Sequence, residues 1–534
     1  KKRVLPQLIF LRIIIFNMEK DLNKEIQILA NKYQAGKFQD VLKKSSVLLK
    51  NNSKNDILWN LSGLAFQQIG NIKKSILSFQ KAIEVNPKNY AAKNNLAISL
   101  KNNKEYAEAE NILNKLLEIN PNYLNALVNL ANLKNDTYFF DEAIKLYKKV
   151  LIIKSDMPQI YVNIAHILQT QNKIEDAKEI LNKALKIDKN FTRADELLSR
   201  LNNYNNSESK SHLDEMLVKL EKKELNNDQK IRLHFSLGKA YEDKKDFEKS
   251  FHYLQIANNL SEKRSKSSIK FYKKKAEVLK KIFSKLNLKN INKFKDDGKK
   301  IFILGLPRSG TTLLERIISS HPKVSSISEA GIVFDEITKN IVSNGSVDEN
   351  EVSNYIKLDF NKRYMKIANN FNIQSEFIID KTLLNFWYVG FLKIFFPNSK
   401  IIHSFRNPKD NCLSIYKNLF PTNEKWPYDQ MEMSEYYLIY YDLMKFWNKL
   451  FKNQIYNSKY EDLVNDKEKY IKDIINFCEL KWDDKCLKHY ENNNPIKTLS
   501  INQANKPIYK SSVNSSKFFE KKMSKLFETL DNLN

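Results

Sequence analysis

From Leu22 to about Phe191, small and apolar residues recur with a period of 34 residues. A period of that length means a stack of like units rather than one globular core. Aligning Asp56–Asn89, Tyr90–Tyr123, Leu124–Met157 and Pro158–Phe191 puts Gly63, Ala97, Ala131 and Ala165 at the eighth position. Ser75, Ala109, Ala143 and Ala177 fall at the twentieth, and Phe79, Leu113, Tyr147 and Leu181 at the twenty-fourth. Small residues at two such places let paired helices approach closely. Pro87 and Pro121, at the thirty-second position, stop the second helix of their units. A weaker unit, Leu22–Asn55, carries Ala30, Tyr33 and Gly36 near the expected places.

This pattern resembles the tetratricopeptide repeat in both period and small-residue positions. The fold class expected is therefore multidomain, an N-terminal all-α solenoid over 18–201 followed by something else. Residues 202–230, rich in Asn, Ser, Lys and Glu, carry no repeat signature and read as a linker with a mobile joint. At 231–298 the theme returns: Gly238, Tyr241, Phe247, Ser250 and Ala257 fit one further hairpin, which leads through a Lys-rich helix (about 268–288). The final domain is expected over 299–534. Solenoids present a concave surface to partners, so the array is expected to recruit a protein or peptide, either acceptor or partner.

The formal charge is +27, but only ten of the 89 basic residues are arginine. Lysine spread from end to end and mixed with asparagine reads as a solvated surface, and no nucleic-acid recognition motif accompanies it. No specific nucleic-acid partner is expected. The scarcity makes each arginine informative, because a planar guanidinium fork grips phosphate in a way lysine does not. Cys412, Cys478 and Cys486 are too few and too irregular for a disulfide framework or a zinc site, which favours a reducing, cytoplasmic setting. Residues 1–17, KKRVLPQLIFLRIIIFN, read as a leader or as upstream sequence translated ahead of Met18. Their apolar run is short for a membrane span, so a membrane anchor is the minor reading; a homodimer stays open.

Residues 301–320 change the periodicity. The apolar run Ile301–Leu304 reads as a buried parallel strand. Gly305-Leu-Pro-Arg308-Ser-Gly310 follows, and then a helix with Leu313, Leu314, Ile317 and Ile318 on one side. A strand, a glycine-bounded loop and a helix together cradle a phosphate, since loose backbone N–H groups and the helix dipole converge on one anion. The glycine spacing is that of a Walker A loop, but Thr311-Thr312 stands where its lysine belongs.

Four more strands are expected, ending near Glu329, at Asp380-Lys381, at Arg406 and at Tyr460. In open α/β sheets ligand groups lie beyond the carboxyl ends of the strands. Arg308, Glu329, Lys381, Arg406 and Tyr460 all fall at that edge if the strands are parallel. His321, before Pro322, reads as a hydrogen-bonded helix-ending histidine rather than a metal ligand, and no metal site is expected.

PRSGTT after a strand and Arg406-x₇-Ser414 after a later one resemble the two phosphosulfate-binding segments of sulfotransferases. The chain looks most like tyrosylprotein sulfotransferases and bacterial proteins that join tetratricopeptide repeats to such a domain. The resemblance covers about 299–520. It implies an α/β P-loop-like domain using PAPS (3′-phosphoadenosine 5′-phosphosulfate) as cosubstrate and no metal. It implies that Arg308, Ser309, Gly310, Thr311 and Thr312 bind the 5′-phosphosulfate, and that Arg406, Ser414 and Tyr460 bind the 3′-phosphate. Glu329, 21 residues after the loop arginine, falls at the family's catalytic base. Lys381, in DKTLLN, matches the transition-state lysine, and Arg308 shares its role. Two departures stand out. Asn418 replaces an arginine of the tyrosylprotein enzymes, and Asn514 and Ser516 stand where these use a serine before a tryptophan. Ser512 is the substitute in that last segment.

The chemistry fits those residue types. Sulfuryl transfer asks for positioning and electrostatic stabilisation and for a base to take the proton of the attacking hydroxyl. The expected activity is PAPS-dependent transfer to a hydroxyl, with protein or peptide tyrosine the first choice of acceptor and a glycan or small alcohol left open. The alternatives are a nucleotide-binding P-loop enzyme and a non-catalytic repeat scaffold with a degenerate transferase domain.

Overall fold

The computed structural model describes residues 21–533 apart from 223, 266, 287–297, 344–345, 348, 357–359, 372, 374, 422–423, 493–497, 499, 511 and 532. Residues 1–17, read above as a leader, lie outside the described residues. The chain parts into two compact units between Ser155 and Asp156.

The first unit consists of helical hairpins. Asp56–Gln68 pairs with Ile72–Val85, Tyr90–Asn102 with Tyr106–Ile119, and Leu124–Asp136 with Phe140–Ile153. The repeat positions explain the pairing. A Cβ on Gly63 would stand 2.6 Å from the Phe79 ring, so the eighth residue is small because the twenty-fourth lies across it. Ser75 Oγ, at the twentieth place, donates to the Gly63 carbonyl at 2.8 Å. Asparagine, abundant in the sequence, supplies helix caps: the side chains of Asn55, Asn71 and Asn89 accept from the N–H groups of Leu58, Lys74 and Ala92.

The second unit begins with a further pair, Pro158–Thr170 and Ile174–Ile187, and then Thr192–Leu201. The stretch 202–230, read above as a linker, contains helical structure. A short 3₁₀ turn, Ser207–Ser209, runs into the helix Lys210–Leu220, and the next helix, Asn227–Asp243, starts inside the same stretch. Polar residues order it. Asp195, fully buried, accepts from Lys219 Nζ at 2.6 Å and lies 3.2 Å from His212 Nε2, while Tyr204 OH meets His212 Nδ1 at 2.7 Å. A buried charge held by two partners is ordered, although its composition reads as loop.

Asn227–Asp243 and Phe247–Arg264 repeat the hairpin geometry of the first unit. A Cβ on Gly238 would meet Leu254 at 2.7 Å, and Ser250 Oγ donates to the Gly238 carbonyl at 2.7 Å. The Lys-rich helix Ile269–Lys285 follows, with Phe283 edge-on to Trp447.

The last part is an α/β domain. Its strands β1 (Lys300–Leu304), β2 (Val324–Ser326), β3 (Phe377–Asp380), β4 (Lys400–Phe405) and β5 (Ile455–Lys459) form one parallel sheet in the order β2-β3-β1-β4-β5. Ile301 pairs with Ile379 on one side and Lys400 on the other. Ile301 and Ile303 pack on one face against Leu314, Ile317 and Ile318 of α1 (Thr311–Ser319) and against Ile471, Ile474 and Ile475. Phe302 turns the other way, its ring 5.4 Å from that of Phe396. This is the alternation a parallel sheet covered on both faces requires. After β1 the chain goes out to β2 at the edge, comes back in to β3 beside β1, and then crosses to the opposite side of β1 with β4. The order therefore reverses between β1 and β4, and such a reversal opens a crevice at the carboxyl ends of those two strands.

Candidate active site

The loop between β1 and α1 occupies that crevice. Three of its residues have left-handed backbone: Gly305 (φ 148°), Arg308 (φ 69°) and Gly310 (φ 104°). Both glycines are also demanded by close approach. A Cβ on Gly305 would stand 2.2 Å from the Ser404 carbonyl oxygen, and one on Gly310 would stand 2.8 Å from the Tyr460 ring. The loop is fastened from β4 and from the helix that follows it, α2 (Pro408–Tyr416). Ser404 Oγ donates to the Ser309 carbonyl at 2.9 Å, and Asn411 Nδ2 donates to the Pro307 carbonyl at 2.8 Å. Ser309 Oγ, fully buried, has no hydrogen-bond partner among the described residues.

Arg308 reaches across the crevice. Its Nε donates to Ser414 Oγ at 3.1 Å, its Nη1 to Ser500 Oγ, and its Nη2 to Gln503 Oε1 at 2.8 Å. Burial pushes the guanidinium down to about 10, Tyr509 works the other way, and the charges of Arg406 and Arg200 lower it further. Arg406, just past β4, lies 5.0 Å over the Tyr460 ring, and its Nη2 donates to the Ser512 carbonyl. It stands 3.7 Å from the buried carboxylate of Asp410, and its Nε has no partner among the described residues. Tyr460 OH and Ser512 Oγ are 2.8 Å apart.

A cavity of about 410 Å³ opens here. Gly310, Thr311, Thr312, Arg308, Arg406, Ser414, Tyr460 and Ser512 all line it, so eight of the expected donor residues share one space. Of the two departures, Asn418 lines the cavity as well. Asn514 and Ser516 instead give their backbone N–H groups to Asp410, at 2.7 and 2.8 Å. Ser512, between Arg406 and Tyr460, lines the cavity, as do Tyr509 and Ser515 of the same segment.

Glu329 and Lys381 form a second cluster at the ends of β2 and β3 and do not line this cavity. The parallel pairing continues past the strands, with the Lys381 N–H donating to the Ser328 carbonyl at 2.9 Å. Lys381 is fully buried; its Nζ donates to Glu329 Oε1 at 2.6 Å and lies 3.3 Å from Glu315 Oε2. Burial works against the ammonium, but Glu315 and Glu329 outweigh it and raise its pKa above the ordinary lysine value. Glu329 keeps 42% of its side chain exposed, so one end of this pair reaches solvent. His321 is held as expected, with Nε2 2.9 Å from the Lys481 carbonyl oxygen.

Sequence reasoning missed Glu315, Asp410 and Arg200. Glu315 had a signal, since it interrupts the apolar side of α1 next to Leu314 and is completely buried. Ser326 Oγ donates to its Oε1 at 2.6 Å. Asp410, two residues after Pro408, gave none. Arg200 sits in the repeats, and only its rarity as an arginine marked it.

Among the described residues no group of three or more His, Cys, Asp or Glu is placed to hold a metal ion, and no helix is long and apolar enough to cross a membrane. All three cysteines are free and buried.

Residues 300–484 match the model of the sulfotransferase family, and residues 70–133 and 140–201 match a tetratricopeptide repeat model. A protein of Aquifex aeolicus (strain VF5), described as uncharacterized, is 33% identical over 315 residues, covering 55% of this chain and 41% of that protein. This chain thus spans less than half the length of the curated relative it matches. Among solved structures, the C-terminal part of a TPR repeat-containing protein from Cytophaga hutchinsonii aligns with 44% of this chain and 95% of its own, at 10% identity and a TM-score of 0.34. Pseudomonas aeruginosa pilF aligns with 39% of this chain and 93% of its own, at 18% identity and a TM-score of 0.32. The chain carries a sulfotransferase-family domain at residues 300–484, preceded by tetratricopeptide repeats.

Proposed function

We propose that the domain transfers a sulfuryl group from PAPS to an acceptor hydroxyl, with a protein or peptide tyrosine as acceptor and the repeats recruiting it. The observation that carries this reading is the convergence of Arg308, Arg406 and the segment Gly310–Thr312 on one cavity at the strand reversal. The residues fit the donor. Among the described residues six cationic side chains line the cavity against one carboxylate, Glu242, an imbalance that suits a nucleotide carrying phosphates at both ends. Ser309 Oγ and Arg406 Nε are buried polar atoms without partners among the described residues, as expected of groups that meet a ligand. The cavity's size lies in the range of small-molecule sites, about 300–1,000 Å³.

When bound, PAPS supplies a sulfuryl group joined to a phosphate leaving group. Arg308, Ser309, Gly310, Thr311 and Thr312 hold its 5′ end, and Arg406, Ser414, Tyr460 and Ser512 hold the 3′-phosphate. Lys381 engages Glu329 Oε1, which leaves Oε2 to take the proton of the acceptor hydroxyl. A phenol with a pKa of about 10 is a poor nucleophile until that proton leaves, and such a base contributes on the order of 10²–10⁴-fold. Arg308, on the cavity wall, neutralises charge on the departing oxygen, worth about 3–4 kcal/mol by analogy with oxyanion donors, while Lys381, which does not line the cavity, acts through Glu329.

Incubating the protein with sulfur-labelled PAPS and a cell lysate tests the reading. Label recovered on tyrosine supports it. Label on a glycan keeps sulfuryl transfer and overturns the tyrosine acceptor. Absence of any transfer, together with absence of PAP binding, overturns the donor assignment as well.

A further inference from the structure

We propose that Arg200, from the last helix of the repeats, is a donor-binding residue, so that the repeats supply part of the wall that holds the nucleotide's phosphates. The inference rests on the PAPS reading above and adds to it a residue outside the sulfotransferase-family segment.

Arg200 lies in the last turn of Thr192–Leu201, at the end of the second repeat match. It lines the same cavity as Arg308 and Arg406. Three of the ten arginines in the chain therefore face one space of about 410 Å³. The Arg200 charge is close enough to Arg308 to lower its pKa. Like charges brought together in a partly buried space repel, and an anion placed among them removes that cost.

Its position is held from the catalytic side. The Arg200 carbonyl accepts from Asn502 Nδ2 at 3.2 Å, and Asn502 Oδ1 accepts from Gln169 Nε2 at 3.2 Å. Asn505 Nδ2 donates to Asn172 Oδ1 at 3.2 Å. The same segment carries Ser500 and Gln503, which hold Arg308. One short stretch of chain therefore ties the end of the repeats to the loop arginine.

The bond already made by Arg200 does not use up its guanidinium. Nη2 donates to Glu196 Oε1 at 2.6 Å, four residues back on the same helix. Glu196 is shared with Arg232, so one carboxylate serves two guanidinium groups. A guanidinium carries five N–H donors, and a side chain of this kind, 22% exposed at the cavity wall, retains capacity for phosphate oxygens.

The test is calorimetric titration of the full chain with PAP, comparing wild type, Arg200→Ala, Arg200→Lys and Glu196→Gln, with thermal melting of each. The expected result is a loss of about tenfold or more in PAP affinity for Arg200→Ala, the scale of one charge-assisted hydrogen bond. Arg200→Lys should recover part of it, and Glu196→Gln should bind as wild type does. Equal weakening by Arg200→Ala and Glu196→Gln would mean that the intrahelical ion pair matters rather than the donor contact, which overturns the proposal. Unchanged affinity in Arg200→Ala overturns it too, while leaving the PAPS reading intact. A wild-type protein that does not bind PAP overturns both.

Discussion

Lys381 Nζ donates to Glu329 Oε1 at 2.6 Å, and this bond joins a fully buried ammonium to a carboxylate that reaches solvent. The lysine's charge is maintained from behind by Glu315, so Glu329 is oriented by a fixed cation. Glu329→Ala should therefore abolish sulfuryl transfer and leave PAP affinity within about threefold of wild type, because Glu329 does not line the donor cavity. Turnover near the wild-type rate would show that another group takes the proton.

The same cluster makes a stability prediction. Lys381→Met leaves Glu315 as a buried carboxylate without its cation, and breaking a buried pair from one side costs about 3–5 kcal/mol. Replacing both, with Lys381→Met and Glu315→Gln, removes the stranded charge and should recover most of that loss. Urea unfolding of the single and double variants measures the difference. If the double variant is as unstable as the single one, Glu315 is not the residue that Lys381 neutralises.

Arg406→Ala should weaken PAP much more than it weakens the analogue lacking the 3′-phosphate. Arg406 sits against Tyr460 and Ser512, at the cavity wall assigned to that phosphate. An equal loss for both ligands would remove the assignment and leave Arg406 as a general support for the cavity.

In the repeats, Gly63→Ala should destabilise the first unit by about 1–3 kcal/mol, the usual cost of overpacking. Its new Cβ would stand 2.6 Å from the Phe79 ring. Pairing it with Phe79→Leu should restore part of the loss, as read from thermal melting. No loss in Gly63→Ala would mean that the helix pair can slide apart freely.

The legible parts of this chain were those fixed by short-range pattern. The 34-residue spacing gave the hairpins because Gly63, Ser75 and Phe79 touch one another within a single unit. Strand ends were most readable where an apolar run stops at a polar or charged residue, as at Asp380-Lys381 and Arg406, which the parallel sheet then carries to one edge. Long-range partners were not readable. Arg308 meets Ser414 across 106 positions and Gln503 across 195, and nothing local to either residue records the other. The helix Lys210–Leu220 was not readable either, because it is held through Lys219 and His212 to the buried Asp195. Burial of a charge leaves no trace in composition.

His403 gives the pH dependence its sign. It lies buried on β4, with Nδ1 2.8 Å from Asn457 Oδ1 and Nε2 against Tyr440 OH. Burial pushes its pKa down to about 4, with the Asn457 bond working weakly the other way. In the unfolded chain a histidine titrates near about 6.5. Below that pH the unfolded state takes up a proton that the native state refuses until about 4, so the unfolded state binds more protons and stability falls. The contribution is fully present above pH 6.5, declines by about 2 kcal/mol at pH 5, and is lost as pH drops through the folded value. Urea midpoints at pH 7 and pH 5 should therefore differ more in wild type than in His403→Gln. Equal pH sensitivity in the two proteins would place the acid lability elsewhere, in His489, which burial also holds down at about 4, or in the carboxylates.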